Sequence, residues 1–185
     1  RYFLLMCGVG LDASIVNAVG SRIKRWLGAA AYVAAGVVQA LRARAWPVDM
    51  TIDGDASERA LYFMLVSNTR LYGGVARIAH RAVADDGELD VVLMRRGGVL
   101  NLVRDGVRVL LRRHERSPNV RYARARAVEL RTAGIPVQVD GEAAGVTPLR
   151  IEIAPLALAV IVPADLRSPL FERDAVAVAG GGGRG

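Results

Sequence analysis

The sequence predicts an α+β domain in which antiparallel strands predominate and several helices accompany them. Three observations predict it. Stretches at 48–52, 121–131, 136–140 and 149–153 alternate apolar and polar side chains with period two, as half-buried strands do. The run 61–66 is continuously apolar, which suits a central strand buried on both faces. Two longer stretches, 21–44 and 99–111, carry apolar residues at helical spacing. With 185 residues, 52% hydrophobic and 23% charged, the chain can bury one substantial core and is not disordered overall.

Taken in order, residues 2–6 read as a short buried strand ending at Gly8-Val9-Gly10-Leu11-Asp12-Ala13. A glycine-rich turn entering a helix can present N–H groups to a phosphate, or can simply be a tight strand-to-helix turn. Asp12 suits the cap of the helix that follows. The long helix over 21–44 has Ser21 as N-cap and Ile23, Leu27, Ala30, Ala34, Val37 and Leu41 at helical spacing. Its apolar centre, at about thirteen residues, is short of the roughly 20 that span a bilayer. Arg22, Lys24 and Arg25 flank its start. Two readings stay open: a helix that rests on an anionic membrane or lines an apolar pocket, and a core helix with solvated basic ends.

Trp46-Pro47 ends that helix. The strand over 48–52 enters the turn Asp53-Gly54-Asp55. The buried run 61–66 delivers Ser67-Asn68-Thr69-Arg70 and then Leu71-Tyr72-Gly73-Gly74. Asn68 either orients a ligand hydroxyl or phosphate, or satisfies turn backbone groups. Asp85-Asp86-Gly87-Glu88-Leu89-Asp90 is an acidic turn able to offer oxygen ligands to a hard cation, without the spacing of an EF-hand loop. A strand over 89–94 precedes the helix 99–111, where Leu100, Val103, Val107, Leu110 and Leu111 share one side. His114 reads as a solvated loop residue, and 121–131 as one strand with an exposed basic face.

The most informative stretch is Pro136-Val137-Gln138-Val139-Asp140-Gly141-Glu142. A strand runs into Asp-Gly and a small-residue turn, with a second strand expected over 149–153. If the chain stays extended through Gly141, Asp140 and Glu142 lie on one side. Paired carboxylates at a sheet rim suit a divalent metal or proton abstraction from a hydroxyl; the alternative is a turn dipeptide beside a solvated acid. A further strand is expected over 158–162, and a disordered Ala/Gly-rich tail over 175–185.

Net charge is +7, which favours anionic partners, but every basic side chain except Lys24 is arginine and few aromatics sit among them. No nucleic-acid-binding motif is present, so nucleic acid is not the expected partner. Cys7 is alone, excluding an intrachain disulfide. No cleavable leader is visible, and the expected setting is cytoplasmic. The sequence opens on Arg1 directly into a strand-like run, as expected of a fragment lacking its N-terminal part.

Four stretches together resemble the C-terminal domain of the bacterial diacylglycerol kinase family, related to sphingosine kinases and more distantly to NAD kinases. They are Gly8 to Ala13, Ser67-Asn68 with Tyr72-Gly73-Gly74, Asp85 to Asp90, and Val139-Asp140-Gly141-Glu142. The ending around Pro148-Leu149-Arg150 and 155–163 also resembles the family. The resemblance spans roughly 2–172 and implies one lipid-binding domain over 1–174, largely an antiparallel β-sandwich with helices. It implies an ATP- and magnesium-dependent lipid kinase whose ATP-binding domain, with its glycine-rich loop, is expected to be missing here; the alternatives are a non-catalytic lipid-binding or membrane module and an NAD kinase-like enzyme. By that resemblance Asp140 is the general base on the lipid hydroxyl, and Glu142 helps bind the catalytic magnesium. Asn68 and Gly141 join Glu142 in cofactor binding. Asp86 would ligate a structural magnesium with backbone oxygens of Val83 and Glu88. The expected partners are a diacylglycerol-like lipid and an anionic membrane surface met by Arg22, Lys24 and Arg25, with a homodimer left open. Val75 and His80 depart from the family's glycine and proline.

Overall fold

The computed structural model describes residues 1–18, 38, 40, 43–56, 59–72, 76–111, 113–163 and 166–171. A six-stranded antiparallel sheet is its centre. In spatial order it runs β11 (Glu142–Val146), β10 (Pro136–Val139), β1 (Met6–Gly10), β6 (Phe63–Ser67), β7 (Leu89–Met94) and β8 (Val120–Ala125). A four-stranded antiparallel sheet, β12 (Leu149–Glu152), β9 (Ala127–Leu130), β3 (Met50–Ile52) and β4 (Asp55–Ala56), packs on one face. A short ribbon pairs β2 (Trp46–Pro47) with β5 (Ala60–Leu61). The described helices are α1 (Leu11–Ala18) and α2 (Val99–Leu110), with a 3-10 turn at His114–Arg116.

The period-two rule explains why the central strands are apolar on both sides. In β1, β6 and β7, Cys7, Val9, Met64, Val66, Val91 and Leu93 point into the sandwich against Met50, Val128, Leu130 and Ile151. Their neighbours Met6, Phe63, Leu65, Val92 and Met94 point the other way, into a second cluster with Leu11, Ile78 and Ala82. Register keeps like faces together: Cys7 lies opposite Val66, and Met64 opposite Leu93. Each such side chain contributes about 1.5–3 kcal/mol by leaving water. The α+β class with mainly antiparallel strands is therefore as the sequence predicts.

Several local expectations change. The first strand is not the buried run expected over 2–6: Tyr2, Leu4 and Leu5 are exposed, and β1 starts at Met6 and contains Gly8 and Gly10 rather than ending before them. The partner of β10 is β11, starting at Glu142, while 149–152 joins the other sheet beside β9. The basic stretch is two strands, β8 and β9, in different sheets, because the chain changes sheet at Arg126. No strand forms over 158–162. His114 is fully buried, with its Nε2 2.9 Å from the Ile78 carbonyl oxygen, so it is not the solvated residue expected. Burial holds its imidazole below its ordinary pKa of 6.5. Most of the helix expected over 21–44, including Arg22, Lys24 and Arg25, lies outside the described residues, as do Gly73, Gly74, Val75 and the tail after 171.

Candidate functional site

Asp140 and Gly141 form the two-residue loop of the β10–β11 hairpin, with Val139 paired to Glu142. Their φ angles are +50° and +84°, the left-handed conformation that a type I′ turn needs at both central positions. The chain is thus not extended through Gly141, and the premise that placed Asp140 and Glu142 on one side fails. Asp140 turns its carboxylate back over β1 instead. Oδ2 accepts the Leu4 N–H at 2.9 Å, and Oδ1 accepts those of Leu5 and Met6 at 3.0 and 2.9 Å. The Asp140 N–H donates to the Met6 carbonyl at 2.9 Å. A carboxylate has about four acceptor positions. Among the described residues three are filled, leaving one on Oδ2 for a hydroxyl. Glu142 leaves the turn into solvent, its side chain 74% exposed and paired with Arg1 at 2.6 Å.

Behind this turn lies an acid that the sequence reading treated only as a helix cap. Asp12, in the first turn of α1, is completely buried. Its Oδ2 accepts the Gln138 Nε2–H at 2.7 Å, and its Oδ1 accepts the Tyr72 hydroxyl. Gln138 Oε1 in turn accepts the Gly141 N–H at 2.7 Å. A continuous hydrogen-bonded path therefore joins Asp12 to the Asp140-Gly141 loop. Burial pushes the Asp12 carboxyl above its ordinary pKa of 3.8, with the bonds from Tyr72 and Gln138 acting against it. Glycine at position 8 makes room for this pair. A Cβ there would sit 1.6 Å from Asp12 Oδ2 and 2.6 Å from Gln138 Nε2. Gly-x-Gly-x-Asp is thus a packing signature, and Gln138, a buried polar residue on the strand before Asp140, is the signal that was missed. Cys7 beside them is inert: burial, with Asp12 and Asp140 nearby, pushes its thiol up to about 12.

Of the remaining candidates, Asn68 reaches the same segment that Asp140 holds, through Leu5. Asn68 follows β6; its backbone N–H donates to Leu5 at 2.9 Å and its Nδ2 to Ala84 at 3.5 Å. Its buried Oδ1 has no partner among the described residues, so it has room to accept from a hydroxyl or water. In the acidic turn, Asp86 Oδ1 accepts the Glu88 N–H at 2.9 Å. Its Oδ2 pairs with Arg124, which also reaches Glu88 at 2.9 Å. Val83 is half-buried in the same segment. No group of three or more His, Cys, Asp or Glu side chains among the described residues could hold a metal ion. As arranged, Asp86 and Glu88 already share a guanidinium, so this turn does not fit a divalent cation unless Arg124 moves. Glu142 is also paired, with Arg1, but its exposed carboxylate leaves positions open to a cation; magnesium commonly takes one or two carboxylates plus substrate phosphates. A groove of about 670 Å³ lies beside the acidic turn, lined by Asp86, Arg126, Arg150 and Glu152, and does not include Asp140 or Glu142. The departing His80 is held at 3.1 Å from Glu115, with its ring edge-on to His114.

Residues 6–162 match the family model described as the YegS C-terminal NAD kinase beta sandwich-like domain. The chain belongs to that family. The chain is similar to "Diacylglycerol kinase" of Bacillus subtilis, 24% identical over 80% of this chain and 49% of that protein. A Pseudomonas savastanoi protein named "Probable lipid kinase YegS-like" is 28% identical over 94% of the chain and 56% of its own length. The fold matches the crystal structure of a diacylglycerol kinase from Bacillus anthracis with a TM-score of 0.60. That match has 22% identity and covers 84% of this chain and 50% of the other. The chain thus spans about half the length of the relatives it matches. No helix of the described residues is long and apolar enough to cross a membrane.

Proposed function

We propose that this chain is the lipid-holding, base-carrying half of an ATP- and magnesium-dependent kinase that phosphorylates a diacylglycerol-like alcohol at a membrane surface. The observation that carries the reading is the buried Asp12–Gln138 pair bound to the Asp140-Gly141 loop. A buried ionisable group costs stability and is an expensive way to support an ordinary hairpin. It is well suited to fixing a loop whose carboxylate must meet a substrate.

In this reading Asp140 keeps one acceptor position on Oδ2 for the proton of the lipid hydroxyl, while its other bonds fix its direction. Glu142, exposed at the rim beside Arg1, would hold magnesium, which when bound neutralises charge on the transferring phosphoryl group. Asn68 Oδ1, without a partner among the described residues, would accept from a ligand hydroxyl. Phosphoryl transfer is mainly positioning and charge stabilisation, and in this reading a separate ATP-binding domain presents the nucleotide.

A second reading, a non-catalytic lipid-binding module, is favoured by the three N–H groups already on Asp140. The test joins this chain to an ATP-binding domain of the relatives' kind and measures phosphate transfer to dioleoylglycerol micelles. Asp140→Asn should lower kcat about 10²–10⁴-fold, without rescue by magnesium. Glu142→Gln should lose rate that added magnesium partly restores. Transfer that survives Asp140→Asn unchanged removes Asp140 as base, and no transfer by the unaltered protein favours the second reading.

A further inference from the structure

Helix α2 (Val99–Leu110) is amphipathic in the opposite sense to an ordinary core helix. Its apolar stripe faces outward: Leu100 is 81% exposed and Leu110 83%, with Val103, Val107 and the following Leu111 each more than half exposed. At 3.6 residues per turn these five occupy roughly 100° of the helix circumference, and Asp105 lies about opposite them. Asp105 is fully buried. It accepts hydrogen bonds from Ser117 Oγ at 2.7 Å and Asn119 Nδ2 at 2.8 Å, and pairs with Arg108 at 3.5 Å. A buried polar anchor therefore holds the helix on the domain, and the apolar face is left uncovered. Core helices bury that face, so its exposure marks an interaction surface.

Charge identifies what covers it. The acid of α2, Asp105, is turned inward, while Arg104 and Arg108 are partly exposed and Arg113 is exposed just beyond the helix. An apolar stripe edged by arginines with no exposed acid is complementary to an anionic bilayer, with acyl chains against the leucines and headgroups against the guanidiniums. We propose that α2 is an interfacial helix that docks this domain on an anionic membrane. The inference rests on the lipid-kinase reading for its purpose, since a substrate held in a bilayer must be reached by a protein that lies on it.

Co-sedimentation of the 185-residue chain with phosphatidylcholine vesicles, with and without phosphatidylglycerol, tests it. The chain should bind the anionic vesicles. Leu100→Ser with Leu110→Ser should weaken that binding about tenfold or more, and Arg104→Gln with Arg113→Gln should weaken it for anionic vesicles alone. The altered leucines are exposed, so the circular dichroism spectrum should not change. As a second measurement, Leu110→Trp should shift its emission to the blue with vesicles and be quenched by brominated lipid. Binding unaffected by the leucine changes, or an unshifted Trp emission, would overturn the proposal. So would a dimer of the chain that the leucine changes dissolve, since a second copy would then be the occupant. These readouts involve no turnover, so failed docking leaves the kinase reading intact, and failed phosphate transfer leaves the docking result intact.

Discussion

Replacing Asp140 by alanine tests whether this residue is a structural latch as well as a chemical candidate. The carboxylate gathers the N–H groups of Leu4, Leu5 and Met6 within 3.0 Å. Bonds to a charged group contribute about 1.5–3 kcal/mol each when shielded. Leu4 and Leu5 are exposed, and water replaces much of what they lose, so only the Met6 bond counts nearly in full. Alanine must also adopt a φ of +50°, which costs about 1 kcal/mol more than Asp in that conformation. The expected loss is about 2–4 kcal/mol, and with a urea slope near 2 kcal/mol/M the midpoint should fall by about 1–2 M. Asparagine keeps the backbone preference and one acceptor oxygen, so it should lose roughly half as much. Hydrogen exchange supplies the local test: the amides of residues 4–6 should lose protection in Asp140→Ala well beyond the global change. A midpoint within about 0.5 M of the unaltered protein, or unchanged exchange at those amides, would refute the latch. The activity of Asp140→Asn must accordingly be normalised to folded protein.

Two further outcomes follow from the buried acids. The folded-state pKa of Asp12 is raised above its unfolded value of 3.8, so the folded protein binds the extra proton and Asp12 lowers stability as pH rises above 3.8. The stability of Asp12→Asn minus that of the unaltered protein should therefore climb from pH 3.8 upward and then level off, as read from urea midpoints; a difference independent of pH would show that folding does not raise the Asp12 pKa. At the acidic turn, Arg124→Leu should leave Asp86, 5% exposed, without its counter-charge. Because Arg124 is itself 43% exposed, the cost should be about 1–2 kcal/mol, and magnesium should raise the melting temperature of the variant more than that of the unaltered protein. Equal magnesium responses would mean that Arg124 does not stand in for a cation.

Alternation and apolar runs in the sequence were enough to predict the class, most strand positions and the strand over 89–94, because burial on one or both faces of a strand leaves a local period. Asp-Gly is legible as a turn dipeptide because left-handed backbone restricts residue type locally, but the return strand expected at 149–153 begins at Glu142 instead. What was not legible depended on partners far along the chain. Asp12 looked like a helix cap until β1 and β10 came side by side and set Gln138 against it, 126 positions away in the sequence. Gly8 reads as a turn residue in isolation and as clearance for that pair in the fold. Asp140 looked free beside Glu142, yet the reversal at Gly141 sends one carboxylate back over residues 4–6 and the other into solvent. The helix 99–111 was legible as amphipathic, but periodicity says only that two faces differ. Which face meets the protein was decided by Ser117 and Asn119, whose side chains satisfy Asp105 and draw the polar side inward.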